Sequence, residues 1–428
     1  MSAEIRVSAE IHVFGDWIGL GGPRRIGVLR ANRSKNRETF SFEYDDSWLS
    51  DGPNQLLDPS LLLHEGPQFL KLGDQKNFGL FLDSCPDRWG RLLLQRNEAR
   101  KAREQGRAER TLLESDFLLG LTDAQRMGGL RFKTSLDGEF EAVADEFLVP
   151  PCASLRELEA ATWQIQDDSI SDSAAAAWLQ MLLAPGSSLG GARPKAGVQD
   201  EAGNLFIAKF PKRTDEVDIG AWEFVVHTLA RRAGIKLAAS RVERLSQAHH
   251  TFITKRFDRV LNDGKLCRRH FSSAMTMLGY ADGADSASGV SYLEIVEFLM
   301  QNGARVDRDL HELWRRIVFS MMVSNTDDHL RNHGFLLEQD GWALSPAYDL
   351  NAEPHGLGLK LNVSEHDNSL DLDLARDVAG YFRLSANEAE LILDEVRAAV
   401  RTWPEVAKDL GIKRPEQQRM SRAFRLAG

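Results

Sequence analysis

The chain has 428 residues, 43% hydrophobic and 27% charged, enough apolar material for two or more domains or one large bilobal unit. Its net charge of -10 argues against broad nonspecific nucleic-acid binding. The three cysteines, Cys85, Cys152 and Cys267, are too scattered for a CxxC pair or a disulfide framework, and no apolar run reaches the ~20 residues of a membrane span. Residues 1–11 show no signal-peptide core. The expectation is a cytoplasmic protein with no membrane contact.

In chain order, residues 5–14 and 26–48 read as strands. Thr39, Ser41 and Glu43 alternate with Phe40, Phe42 and Tyr44, the period of a half-buried strand. A helix is expected near 83–90, capped by Asp83 or Ser84, with Pro86 in its first turn. Residues 91–110, rich in Arg, Glu and Leu, continue it as a solvated face. A helix pair is expected over 154–183, then a glycine-rich stretch from 186 to 195. Strands at 196–199 and 205–210 form a hairpin around the turn 200–204. Residues 218–233 read as an amphipathic helix stopped by Gly234. Strands follow at 241–245 and 251–257, and from about 258 the chain reads as helical. Capping boxes begin at Ser291 and Ser385. Leu310, Leu313, Trp314, Ile317, Val318, Met321 and Met322 form one apolar helical stripe.

That stripe runs into Ser324, Asn325, Thr326, Asp327, Asp328, His329, Leu330, Arg331, Asn332 and His333, with Tyr348 and Asp349 after a short strand-turn-strand. By residue type, Asp327 can accept the proton of an attacking hydroxyl, and Asn332 and Asp349 offer hard oxygens suited to Mg²⁺. An Asp followed five positions on by such an Asn is the protein-kinase catalytic-loop pattern. Asp328 and His329 are placed to brace the loop. Upstream, Gly186, Gly190 and Gly191 let backbone amides approach a phosphate, and Lys195 adds charge, although this is not a Walker motif. Lys209 lies in an otherwise apolar strand and Glu223 on the next helix, the order in which kinases fix the lysine that grips ATP. Each feature alone also fits ordinary turns, caps and strand edges; their order is the informative part. A transition-metal hydrolase using Asp327, Asp328, His329, His333 and Asp349 is the competing reading, which leaves the glycine stretch and Lys209 unexplained.

Taken together, residues 42–45 with Trp48 and Leu49, and stretches 81–90, 187–195, 207–211, 256–259, 325–332 and 345–350, resemble the HipA family, serine/threonine kinases that act as toxins of toxin–antitoxin pairs. The resemblance implies an α+β, bilobal protein-kinase-like fold. Residues 1–110 would be an extra β-rich N-terminal subdomain, 111–257 a β-rich lobe with the glycine loop, and 258–428 an all-helical lobe with the catalytic loop. It implies ATP and Mg²⁺, with Asp327 as catalytic base, Lys209 on the phosphates, and Asn332 and Asp349 on the metal. The implied nucleotide set is Ser188, Gly190, Gly191, Lys195, Lys209, Lys255, Phe257, His329 and Tyr348, with Lys255 and Phe257 at the adenine hinge. Ser188, or Ser187 beside it, matches the serine that family members phosphorylate on themselves. Further implications are a HipB-like helix-turn-helix antitoxin, DNA reached only through it, and a protein substrate such as an aminoacyl-tRNA synthetase. A kinase-like corepressor is the alternative within the same resemblance. One departure is 268–273, where some relatives carry an acidic pair and this chain has Arg268 and Arg269.

Overall fold

The computed structural model describes residues 7–34, 37–70, 75–141, 149–166, 179, 181–182, 191, 193–246 and 249–428. It is a mixed helix-and-sheet structure in two compact units, 1–213 with 258–272, and 214–257 with 273–428. No helix among the described residues is long and apolar enough to cross a membrane.

The first unit is built on an antiparallel five-stranded sheet. Its strands are β1 (Val7–Gly15), β2 (Arg24–Ser34), β3 (Arg37–Tyr44), β4 (Gln68–Phe69) and β5 (Leu130–Lys133), in the order β4-β3-β2-β1-β5. Phe40, Phe42 and Tyr44 are buried, as the alternation requires. Phe42 meets Phe81 at 5.5 Å and Phe81 meets Phe132 at 6.2 Å, so aromatic contacts join the sheet to the turn of helix Gly79–Leu82. The next helix, Arg88–Glu104, is capped by Asp87, whose side chain accepts from Gly90 N, rather than by Asp83 or Ser84. Pro86 lies just outside it. The unit also holds helix Leu155–Ile165 and the hairpin β6 (Lys195–Gln199) and β7 (Leu205–Lys209). Most of the second helix expected in 154–183 lies outside the described residues.

A second hairpin, Arg259–Asn262 with Lys265–Arg268, amends the expectation of an all-helical stretch after 258. Its signal was present in the sequence. Asp263 (φ 48°) and Gly264 (φ 74°) both take the positive φ that a two-residue hairpin turn demands, and Asp-Gly is a favoured pair for it. Asp258 and Arg259 act as a clamp. Asp258 Oδ2 accepts from Gly128 N at 2.8 Å, and Arg259 donates to Gly128 O at 3.0 Å and Arg126 O at 2.6 Å.

The second unit is mainly helical. Helix Ile219–Arg232 is capped by Asp218 and followed by Gly234 at φ 79°. Burying Trp222, Val225, Val226 and Leu229 gives it one apolar face, with each large side chain contributing about 1.5–3 kcal/mol. Glu416 fixes its start by accepting from Asp218 N (2.8 Å) and Trp222 Nε1 (2.9 Å). Both capping boxes are present, at Ser291 for helix Tyr292–Asn302 and at Ser385 for helix Ala386–Val400. Helix Val306–Met322 is the unit's centre, with its whole stripe from Leu310 to Met322 fully buried. Two hairpins, Ser240–Glu243 with Thr251–Lys255 and Gly334–Glu338 with Gly341–Leu344, complete it. The second of these amends the all-helical expectation again.

Candidate active site

The centre of the second unit ends where its chemistry begins. Helix Val306–Met322 stops at Val323, and Ser324 takes a left-handed φ of 52°, a strained conformation for a side-chain-bearing residue. Its hydroxyl donates to Ala423 O at 2.8 Å and accepts from Arg425 Nη1 at 3.0 Å, which fixes the turn. Asn325 N then bonds Ser320 O at 2.8 Å. The chain emerges at Asp327, which is exposed.

The next turn folds around the carbonyl of Asp327. His329 N donates to it at 3.0 Å and Asn332 Nδ2 at 2.9 Å. Because the Asn332 amide nitrogen is committed there, its Oδ1 is the atom left to accept or to ligate. Asp327 and Asn332 are thus held to one another through the backbone, with the Asp327 carboxylate facing water.

Asp349 is brought to the same place by its neighbour. Tyr348 OH donates to Arg331 O at 2.7 Å, beside Asn332. The segment is held from behind by buried Arg316, which donates to Ser345 O at 2.8 Å, and by Ala347 N bonding Lys236 O at 2.9 Å. Asp349 itself has φ 56°, a second strained residue in this short region. The ring of Tyr348 lies 5.5 Å from that of Phe257, and Lys255 N bonds Ala239 O at 2.8 Å. Asp327, His329, Asn332, Tyr348, Asp349, Lys255 and Phe257 therefore share the second unit.

Beneath the loop is a network that residue types alone did not reveal. Asp328 is buried. Its Oδ2 accepts from Tyr292 OH at 2.6 Å and from Ser320 Oγ at 3.3 Å, and its Oδ1 lies 3.0 Å from His333 Nε2. Burial alone would raise the Asp328 carboxyl. The neighbouring His333 and the Tyr292 hydroxyl outweigh it and hold the group below the usual carboxylate range. Tyr292 is pushed the other way, well above its normal range, by burial and by Asp328. Asp328 and His333 are thus occupied with each other. Among the described residues no three His, Cys, Asp or Glu side chains gather as a metal site, so the transition-metal arrangement has no structural counterpart there.

Lys195, Lys209 and Gly191 belong to the first unit; Gly186, Ser187, Ser188 and Gly190 lie outside the described residues. Lys195 and Lys209 are direct cross-strand partners. Lys209 is half-buried. Lys195 is buried, with Nζ 2.6 Å from Asp87 Oδ2 and 3.3 Å from Gly191 O. Gly191 has φ 97°, where a side chain would be strained. This gives Lys195 a structural duty, because Asp87 also caps helix Arg88–Glu104. Lys195→Met is expected to strand a buried carboxylate at a cost of about 3–5 kcal/mol, seen as a lower Tm in thermal denaturation. An unchanged Tm with weakened ATP binding would instead make Lys195 a phosphate ligand. Glu223 is buried on helix Ile219–Arg232 in the second unit. In the departure at 268–273, Arg268 pairs with Asp123 at 2.8 Å, and His270 stacks on Trp17 at 4.6 Å.

Known proteins resemble this chain in sequence and in fold. Residues 187–403, just over half of the chain, match the family described as HipA-like C-terminal domain. A putative kinase of Haemophilus influenzae is 32% identical over 23% of this chain and 29% of its own length. The putative kinase Y4mE of Sinorhizobium fredii is 29% identical over 34% of this chain and 33% of its own. The chain thus spans about a third of the curated relatives it matches. A solved structure from Shewanella oneidensis, a complex of the toxin–antitoxin proteins HipA and HipB with operator DNA, contains a chain of the same fold. It superposes with a TM-score of 0.62, covering 97% of this chain and 95% of that one at 17% identity. On the strength of the sequence match to its C-terminal domain, this chain belongs to the HipA-like family.

Proposed function

We propose that the chain is an ATP- and Mg²⁺-dependent serine/threonine protein kinase acting as the toxin of a toxin–antitoxin pair. The observation that carries the reading is the pair of bonds into the Asp327 carbonyl. They hold the Asp327 carboxylate in water and leave Asn332 Oδ1 for a cation, with Asp349 tied alongside through Tyr348 and Arg331. In this reading Asp327 takes the proton of a serine or threonine hydroxyl. That oxygen forms a bond to the γ-phosphorus of ATP as the bond to the ADP oxygen breaks. Asn332 Oδ1 and the Asp349 carboxylate are hard oxygen donors that fit Mg²⁺, which when bound neutralises the phosphate charge. Lys209 binds the phosphates; Lys255, Phe257, His329 and Tyr348 line the nucleotide. Residues 111–257 take the part of the nucleotide-binding lobe and 258–428 that of the catalytic lobe, with 1–110 as an added subdomain.

By analogy with the Shewanella complex, the partner is a HipB-like antitoxin, and DNA is reached only through it. The acceptor is a protein of the translation apparatus such as an aminoacyl-tRNA synthetase, met in the cytoplasm. The chain also modifies its own glycine stretch. Incubation with Mg-ATP is expected to place phosphate on Ser188 or Ser187, read by peptide mass spectrometry. Both serines unmodified, together with no transfer from labelled ATP to any protein, would refute the kinase reading.

A further inference from the structure

Helix Arg414–Met420 and the turn Ser421–Ala427 that follows carry arginines at 419, 422 and 425. Arg419 and Arg422 stand three apart on successive turns, and the chain kinks at Phe424 before Arg425. All three are exposed, and among the described residues no carboxylate pairs with any of them. Some arginines of the same unit are paired. Arg376 pairs with Glu390, Arg397 with Asp394, Arg383 with Asp307 and Arg315 with Glu395. Arg308, Arg401 and Arg414 of this unit likewise have no carboxylate partner among the described residues, so what distinguishes the three is their place beside the candidate site.

The last of these arginines reaches the candidate active site. Arg425 Nη1 donates to Ser324 Oγ, three residues before Asp327, and its Nη2 donates to Gly356 O at 3.3 Å. Gly356 lies against the loop so closely that a Cβ there would collide with the Thr326 side chain. Leu357, next in the chain, is 80% exposed. One corner of the unit therefore presents the exposed Asp327, a bare leucine and three uncompensated guanidinium groups.

We propose that this corner is a docking surface for an acidic peptide segment of the phosphate-accepting protein, with an apolar residue of that segment resting on Leu357. Planar guanidinium forks match carboxylates in bidentate pairs, and the three lead toward the carboxylate that would meet the acceptor hydroxyl. Single-stranded nucleic acid is the poorer occupant. Such sites set stacking aromatics among their basic groups, whereas here the exposed apolar group is a leucine and Phe424 is buried. The inference rests on the kinase reading for what the docked segment is used for, but its binding can be measured without ATP.

The test is fluorescence anisotropy of a labelled peptide alternating Glu and Ser around one Leu, against the full chain. Wild type is expected to bind, more weakly as salt rises. R419E/R422E, both sites away from the loop, is expected to lose affinity by about tenfold or more. Leu357→Ser is expected to weaken binding less, without changing its salt dependence. No binding by the wild type, or equal binding by the charge-reversed variant at an unchanged Tm, would overturn the proposal. So would single-stranded RNA binding at least as tightly as the peptide and being lost in the same variant. Peptide binding that responds to charge reversal, in a protein that transfers no phosphate from ATP, supports the docking surface and refutes the kinase reading instead.

Discussion

Asp327→Asn is expected to lower the turnover of phosphate transfer by about 10²–10⁴-fold, the usual range for removing a positioned proton acceptor. Its Tm is expected to stay near wild type. The side chain is exposed, and the bonds that shape the loop go to the Asp327 carbonyl rather than to its carboxylate. An amide of the same shape preserves those bonds and cannot take a proton. The discriminating measurement is labelled-phosphate transfer with KM for ATP followed in parallel. A fall in turnover with KM for ATP unchanged fits loss of an interaction made only in the transition state. Full turnover by the variant would remove Asp327 from the mechanism. The neighbouring acid gives the opposite pattern, which makes the pair informative.

Asp328→Ala is expected to destabilise the second unit by about 3–5 kcal/mol, because it strips the partner from a buried His333 and Tyr292 hydroxyl at once. The loss should appear as a large drop in Tm, with activity falling only as the fold does. Tyr292→Phe, which removes one of the bonds, is expected to cost less, about 1–2 kcal/mol. The same site sets an acid limit. The Asp328 carboxyl is held below its usual range in the folded chain, while in the unfolded chain it titrates near ~3.9. Its stabilising effect is therefore complete above the unfolded value and disappears as pH falls through the lower folded one. Wild type is expected to lose stability at this acid edge in a way that Asp328→Ala does not. Parallel acid titrations of the two proteins would be the wrong shape for this account if their acid limbs coincided.

The division between what was legible in the sequence and what was not follows the range of the forces involved. Caps at Asp218, Ser291 and Ser385, the stop at Gly234, the hairpin around 200–204 and the buried stripe of helix Val306–Met322 are set by residues within a few positions of each other. Their hydrogen bonds and apolar spacing are written in a single local stretch, so the sequence by itself determined them. Even local signals can compete. Asp83, Ser84 and Asp87 all have capping side chains, and the helix begins after the one that also neutralises Lys195. The Asp-Gly turn of Arg259–Asn262 with Lys265–Arg268 was readable too, but its strands do not show clean alternation.

The tertiary structure alone decided the long-range pairings. Lys195 meets Asp87 across 108 positions, and Arg425 reaches Ser324 across 101. Asp328 finds Tyr292 across 36. Nothing in either partner's neighbourhood encodes such a contact, since a buried charge takes whichever compensating group the packed chain delivers to it. In 325–332 the order of residue types suggested chemistry. Which acid faces water and which is locked inside was settled by the packing of helix Tyr292–Asn302 against Val306–Met322, since burying Asp328 between them leaves Asp327 outside.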